Sequence, residues 1–457
     1  MTEPLTSDDT IAVVDPRTGE EIGAVPAGSA EAADAAVRRA RAAAPGWAAT
    51  PAGERAALLK AAARRLRERV DELAELQARE GGKGLDDSRG GVEAGLGAIE
   101  QYAELGPLHR GRALQGNGGA VDVMRFEPRG VAAVLVPWND PVAIACQGIA
   151  ANLAAGNTVV FKPSERTPLS GELLADVLGA ELPDGVLVLL HGDARAGRPL
   201  VEHPEVDVVL HTGSVETGRE IARAVAGTPK KALLELGGKD PLIVDAGVDP
   251  RWAAEQAALG AFANAGQICT AVERIYVHRD VAEPFLAALC EAAAGWDDQP
   301  LVDDAQRAAV EAQVADAVAA GARVRRGGQR PDRPGSWYAA TVLEGCTDDM
   351  RVMREETFGP VAPVRVVDSF DEALAAANAG DYGLAATVLT PSQAHATRAA
   401  DALRAGTVKV NAVFGGAPGG AAEPRGLSGS GFGYGPELLD EVTATKVVHL
   451  EPAPDAG

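Results

Sequence analysis

The stretch Val131-Ala132-Ala133-Val134-Leu135-Val136-Pro137-Trp138-Asn139-Asp140-Pro141 decides the fold. Its apolar run lacks alternation, as in a strand buried on both faces, and such strands belong to parallel sheets covered by helices. Residues 158–161, 186–190, 206–211 and 232–236 repeat the pattern, and residues 169–178 and 218–226 between them read as helices. Strand–helix alternation of this kind predicts an α/β protein with a doubly wound parallel sheet. A second alternating block follows. It has strands at 242–245, 274–278 and 361–367 and near Ala386 and Val408, with helices entered at Asp249-Pro250, over 308–320 and from Asp371. Upstream, residues 29–44 and 51–79 carry apolar residues at three- and four-residue spacing, which predicts amphipathic helices. Thr50 followed by Pro51 is the expected N-cap and first-turn pair of the second.

A chain of 457 residues accommodates two or three domains, and 46% hydrophobic with 24% charged residues fits a globular protein with a large core. A formal charge of −22 opposes binding to nucleic acid or anionic lipid. The seven histidines are scattered without ligand spacing, so no metal site is expected. Cys146, Cys269, Cys290 and Cys346 form no CxxC pair and no disulfide framework. The N-terminus is polar and acidic, and the most apolar stretch, 131–155, is broken by Pro137-Trp138-Asn139-Asp140 and cannot span a bilayer. A reduced, cytoplasmic protein is expected.

Two segments carry chemistry. Cys269 lies in Asn264-Ala265-Gly266-Gln267-Ile268-Cys269-Thr270, and Glu235 opens Glu235-Leu236-Gly237-Gly238-Lys239. An ordinary thiol of pKa ~8.5 is only slightly ionised at neutral pH and needs a lowered pKa or a base if it is to act as a nucleophile. Glu235 is the candidate base, and Leu236-Gly237-Gly238 after it let backbone approach a ligand closely. Thr212-Gly213-Ser214 with Gly218 ends a strand and opens a helix whose N-terminus suits a pyrophosphate, although no GxGxxG fingerprint is present.

Over residues 11–450 the chain resembles the aldehyde dehydrogenase superfamily, NAD(P)-dependent enzymes that oxidise aldehydes to acids. The resemblance implies two Rossmann-like domains: an NAD-binding domain over 1–119 and 129–236 and a catalytic domain over 237–436. It also implies a hairpin at 120–128 that, with a C-terminal strand at 447–450 within the tail 437–457, forms an oligomerisation flap of a homodimer or homotetramer. Cys269 becomes the nucleophile and Asn139 the oxyanion donor. Lys162, Ser164 and Glu165 follow a strand in a motif that reaches the adenosine ribose, where Glu165 favours NAD over NADP, with NADP still accepted. Gly213, Ser214, Gly218, Leu236 and Gly237 complete the nucleotide site, with Trp138 beside it. In Glu355-Glu356-Thr357-Phe358-Gly359, Glu356 is expected to bind the nicotinamide ribose and Phe358 to pack near the nicotinamide. Glu235 argues for water as acyl acceptor against a relative that forms acyl-CoA, and the intact trio argues against a silent, ligand-binding member.

Some positions depart from the family pattern. His211 stands where Phe usually precedes Thr-Gly-Ser, which reads as a packing change. The Gly-rich segment 413–433 thins the aromatic wall of the aldehyde pocket, leaving Phe414 as its remnant. Asp140, Ile144 and Gln147 at helical spacing would line a polar, acidic mouth, which favours a polar or cationic aldehyde.

Overall fold

The computed structural model describes residues 9–416 and 419–453; the expectations at 1–8, 417–418 and 454–457 lie outside the described residues. The non-alternating strand Val131–Leu135 is buried throughout and sits centrally in a six-stranded sheet. The order is Gly429–Ser430, Lys231–Glu235, Val208–Thr212, Val131–Leu135, Thr158–Lys162 and Leu187–Leu189. The last five are parallel, and only the short first strand runs against its neighbour. Two-residue alternation shares the strands between two cores. Ala132, Val134 and Phe161 pack with Ile149 and Leu153, while Val131, Ala133 and Leu135 pack with Val37 and Leu200 on the other face. The chain reverses its direction of travel across the sheet between Val131–Leu135 and Val208–Thr212. This switch point is where open α/β sheets leave a crevice for ligands.

The second sheet has seven strands, in the order Arg323–Arg326, Thr341–Glu344, Val361–Val367, Val272–His278, Asp240–Val244, Ala385–Leu389 and Thr407–Val410. All but the Arg323–Arg326 edge are parallel. The molecule is therefore α/β with two Rossmann-like sheets. The Gly429–Ser430 strand pairs with Leu234 and Glu235, so a late segment of the chain holds the strand end that carries Glu235.

The structure differs from the sequence-based expectation at three local points. Residues 51–79 form two helices, Ala52–Arg67 and Val70–Gly81, because Arg69 at φ −117° leaves the helical region between them. Thr50 is not an N-cap. Its hydroxyl donates to the Gly46 carbonyl at 3.0 Å and closes the preceding helix Ala30–Ala49. No hairpin forms within 120–128. Val121–Pro128 is a single strand between Arg112–Leu114 and Thr443–Leu450 in an antiparallel three-stranded sheet, and the full eight-residue pairing with the C-terminal strand fixes it.

One long-range contact sets the loop that leads from Thr158–Lys162 into the helix Pro168–Gly179. Thr167, at that helix's N-cap, makes no side-chain cap bond. Glu80 takes over: its carboxylate accepts from the N–H of Leu169 at 2.8 Å and of Ser170 at 3.0 Å, and from the Ser170 hydroxyl. Burial raises its carboxyl to about 7 despite these bonds. E80A leaves two buried N–H groups unmade. It should lower stability by about 1–3 kcal/mol, read as a shift of the urea midpoint.

Candidate active site

A cavity of about 1160 Å³ opens at the switch point, lined from both sheets. The Pro137-Trp138-Asn139-Asp140 turn links the central strand to the helix Pro141–Ala155, with Pro141 at its first position. It places Trp138 and Asn139 in the cavity wall, and Ile144 follows from the first turn of that helix. Leu236, Gly237 and Cys269 form the inner wall, with Glu356 and Phe358 facing them.

The loop that carries Cys269 has an unusual backbone. Asn264, Ala265 and Gly266 are all left-handed, at φ 51°, 54° and 72°. Two of these are non-glycine residues, each costing about 1–2 kcal/mol, and the loop holds them by hydrogen bonding. The Gln267 amide donates to the Asn264 carbonyl at 2.9 Å, and its oxygen accepts from Val302 N–H at 2.9 Å. The Asn264 amide reaches the backbone carbonyls of Gln267 at 3.2 Å and Asn139 at 3.4 Å. The Cys269 loop and the Asn139 turn are thereby joined. Burial pushes the Cys269 thiol up to about 12, and Asp240, Glu235 and Glu356 add to the rise. At rest Cys269 is a protonated thiol.

Glu235 ends its strand with Oε1 accepting from Gly433 N–H at 2.8 Å, and burial raises its carboxyl to about 8. A Cβ on Gly433 would stand 2.3 Å from the Glu235 side chain, so only glycine fits there. Glu356 is raised to about 8 in the same way, and its Oε1 accepts from Gly238 N–H at 3.0 Å. Gly237 also lacks room for a Cβ, which would meet the Glu356 carboxylate at 2.2 Å.

Sequence reading passed over the group that holds this wall. Lys239 and Glu273 form an ion pair of 2.6 Å, both almost wholly buried. The Glu273 carboxylate also accepts from the N–H groups of Thr357 and Phe358, each at 2.9 Å, and Lys239 reaches the Thr357 hydroxyl at 3.1 Å. Phe358 is thereby fixed at φ 49°, with its ring edge-on to Trp138 at 5.2 Å. The signals were present, a lysine closing the Gly-Gly turn and an acid just before Arg274, but nothing in the spacing pairs them.

At the outer end of the cavity stand Lys162, Ser164 and Glu165, with the Lys162 ammonium 3.8 Å from the Glu165 carboxylate. Across from them lie Gly213 and Ser214, the latter capping the helix Val215–Val225 through Thr217 N–H at 3.2 Å. Gly218 is not on the wall. A Cβ there would meet the Leu236 side chain at 2.5 Å, so this glycine lets the helix close on the strand end. His211, read as a packing change, does line the cavity. Among the described residues no group of His, Cys, Asp and Glu could hold a metal ion, and no helix is long and apolar enough to cross a membrane.

Of the four expected substrate-pocket residues, only Ile144 lines this cavity. Asp140 turns to the helix Leu85–Leu105, with Lys83 Nζ 3.1 Å from its Oδ1. Its charge is matched there, so the expected acidic mouth is not formed by Asp140. Gln147 lies a turn beyond Ile144 on the same helix, away from the cavity. Phe414 sits against the second sheet's core, with the Lys409 ammonium 5.5 Å from its ring centre.

The cavity fits a dinucleotide on its own features. It offers an aromatic pair, a capped helix start, and glycines where backbone must stay thin. Its volume is above the range of small-ligand sites. E273Q should weaken that fit, since it leaves Lys239 buried without a counter-charge. It should cost about 3–5 kcal/mol of stability, seen as a lower thermal midpoint, and should raise the dinucleotide Kd measured by tryptophan quenching as Phe358 comes loose from Trp138.

Comparison with known proteins agrees with this geometry. The chain is 39% identical over 474 residues to a 3,6-anhydro-α-L-galactose dehydrogenase of Streptomyces coelicolor, covering 98% of this chain and 94% of that protein. The solved structure of a 3,6-anhydro-L-galactose dehydrogenase with NADP superposes with a TM-score of 0.93 at 34% identity, covering 97% and 96% of the two chains. A betaine aldehyde dehydrogenase of Staphylococcus aureus with NAD+ superposes with a TM-score of 0.94 at 31% identity, covering 98% and 93%. The family model described as the aldehyde dehydrogenase family matches residues 4–448, and this chain belongs to that family of NAD(P)-dependent enzymes.

Proposed function

We propose that the enzyme oxidises a small, polar aldehyde to its acid with water as the acyl acceptor, using Cys269, Asn139 and Glu235. The observation that carries this is convergence. A thiol from the second sheet's loop and an amide from the switch-point turn meet at one cavity, and the carboxyl that ends a first-sheet strand, Glu235, is near enough for its charge to raise that thiol. Bound nicotinamide supplies a hydride acceptor. The protein's part begins with ionised Glu235, which takes the proton of the Cys269 thiol as the sulfur adds to the aldehyde carbon. The Asn139 side-chain amide and the Cys269 backbone N–H donate to the oxygen as it becomes anionic. Loss of hydride from the carbon leaves a thioester on Cys269. Glu235, after passing that proton to solvent, takes one from water; the hydroxide adds to the thioester carbon, the C–S bond breaks to release the acid, and the proton on Glu235 returns to the sulfur.

Glu165 beside Lys162 supports a preference for NAD, since its carboxylate would repel a 2′-phosphate. A hydroxylated aldehyde is favoured over a cationic one. The relative cited first acts on an anhydro sugar, and Lys83 already matches the charge of Asp140. The four free cysteines, with no disulfide among them, suit a reducing cytoplasm. We also propose that the three-stranded sheet binds a second copy, because Val121, Val447 and Leu450 lie bare on it, Val447 at 64% exposure. In V447D, sedimentation velocity should show a smaller species than in the parent.

NADH formation at 340 nm tests the chemistry. C269A should abolish turnover without coenzyme A, and N139A should lower kcat about 10²–10³-fold. Turnover only with coenzyme A would overturn water as the acceptor. Glu235 is a base only when ionised, and its carboxyl is raised to about 8. Hence kcat should climb with pH and level off above that value. E235Q should flatten this limb and lower kcat by about 10²–10⁴.

A further inference from the structure

His211 stands where the family pattern usually has Phe, and it brings polar atoms to the nucleotide wall. The ring stands at the end of the strand Val208–Thr212, on the same face as Val209, and both its nitrogens are buried without a hydrogen-bond partner. Packing alone would be served as well by a phenyl ring, which leaves no buried donor or acceptor unmade. The location is specific. Leu135 pairs in register with His211 on one side and with Lys162 on the other, so imidazole and ammonium share one face of the sheet, one strand apart. That face looks toward the helix Ala194–Glu202, whose Gly197 would bring a Cβ within 3.4 Å of the Lys162 Cε. The imidazole lies under Gly213, where a Cβ would stand 2.6 Å from its Cε1 and Nε2. It is thus placed between the lysine of the outer wall and the turn that opens the capped helix.

We propose that His211 is a phosphate-binding residue of the dinucleotide site, its imidazolium joining Lys162 in holding a phosphoryl oxygen of the bound cofactor. In the free protein burial and the Lys162 charge push His211 down to about 4, so it is neutral at pH 7. A phosphoryl anion brought beside the ring favours the charged form and raises that value. Binding is then coupled to uptake of a proton, and affinity falls as pH rises through the raised value. The other charges on this part of the cavity are Glu165, Arg166, Asp193 and Arg195 around Lys162, Arg198 and Glu202 from one helix and Glu220 and Arg223 from the other, with the buried His191 also near Lys162. Arg198 stands 3.8 Å from Glu202 and 3.9 Å from Glu220, while the neighbours of His211 in the sheet, Leu135 and Leu234, are uncharged.

Glu235 and Glu356 also titrate near neutrality, so the probes should lack the nicotinamide end. Calorimetry of ADP-ribose and of its 2′-phosphorylated form, between pH 6 and 8.5 in two buffers of different ionisation enthalpy, gives affinity and proton uptake together. The parent should lose affinity by up to about tenfold per pH unit where one proton is taken up. H211F and H211Q should lose that component and bind about 10–100-fold more weakly at pH 6. An effect on both ligands assigns the pyrophosphate, and an effect on the phosphorylated ligand alone assigns the 2′-phosphate. If H211F, or H211Q should the phenylalanine fail to fold, binds with the parent's affinity and proton uptake, the proposal is overturned. It is overturned equally if the parent takes up no proton from either ligand.

Discussion

The buried pair of Lys239 and Glu273 is the constraint on which the site depends. Two charges withdrawn from water cost several kcal/mol each, and their attraction offsets that only if every remaining donor and acceptor is used. Here they are used on backbone. Glu273 collects the N–H groups of Thr357 and Phe358, and Arg274, next to it in sequence, donates to the Lys239 carbonyl at 2.8 Å. An apolar pair of equal volume would fill the space but leave those N–H groups orphaned. The polar pair therefore specifies one conformation of the Glu356–Phe358 segment, including a left-handed Phe358 that local preference opposes. It also ties three separate stretches together: the turn after Glu235, the strand entered three residues beyond Cys269, and the wall carrying Glu356.

Close approach is the second constraint. Gly213, Gly237 and Gly433 each face a functional side chain at a distance no Cβ could share. The cavity is thus bounded by backbone at the points where a ligand, a carboxylate or a ring must come near. The left-handed run of Asn264, Ala265 and Gly266 serves the same end by other means, turning the chain sharply so that Cys269 emerges at the cavity while Gln267 is buried beneath it. Strain of this sort persists because the Gln267 and Asn264 side chains supply bonds that a relaxed loop would lack.

These features differ in how far they could be read from sequence. Strands buried on both faces were legible, because unbroken runs such as Val131 to Leu135 admit few other readings. The positions of Cys269, Glu235 and Asn139 were legible through motif resemblance. What escaped was set by partners far along the chain. Thr50 looked like an N-cap because Pro51 follows it, yet the Gly46 carbonyl claims its hydroxyl. Residues 120–128 read as a whole hairpin joined by the C-terminal strand; that strand does pair there, but Val121–Pro128 is a single strand whose other neighbour is Arg112–Leu114. Asp140 looked like a free acid at a pocket mouth, and Lys83, from the loop before the helix Leu85–Leu105, is invisible in its local sequence. His211 shows the converse. Its chemistry was in plain view, but whether it faced a packed core or a cavity depended on strand register and on the glycine that covers it.

Around the nucleophile the charges follow from burial. Asp240, Glu235 and Glu356 all raise the Cys269 thiol, and burial raises each of the three in turn. At neutral pH Glu235 and Glu356, both raised to about 8, hold protons that water-exposed carboxyls would have lost. Each carboxyl that ionises makes the next ionisation, and that of the thiol, more costly. A thiol held this high is a poor target for oxidants, which attack the thiolate. The same arrangement requires that the proton on sulfur leave only when an acceptor is in place. Glu235 meets that requirement by position. It lies at the end of a first-sheet strand, near enough to Cys269 for its charge to raise the thiol, and among the described residues its carboxylate accepts only from the Gly433 N–H. Its second carboxylate oxygen is thus left available for a proton.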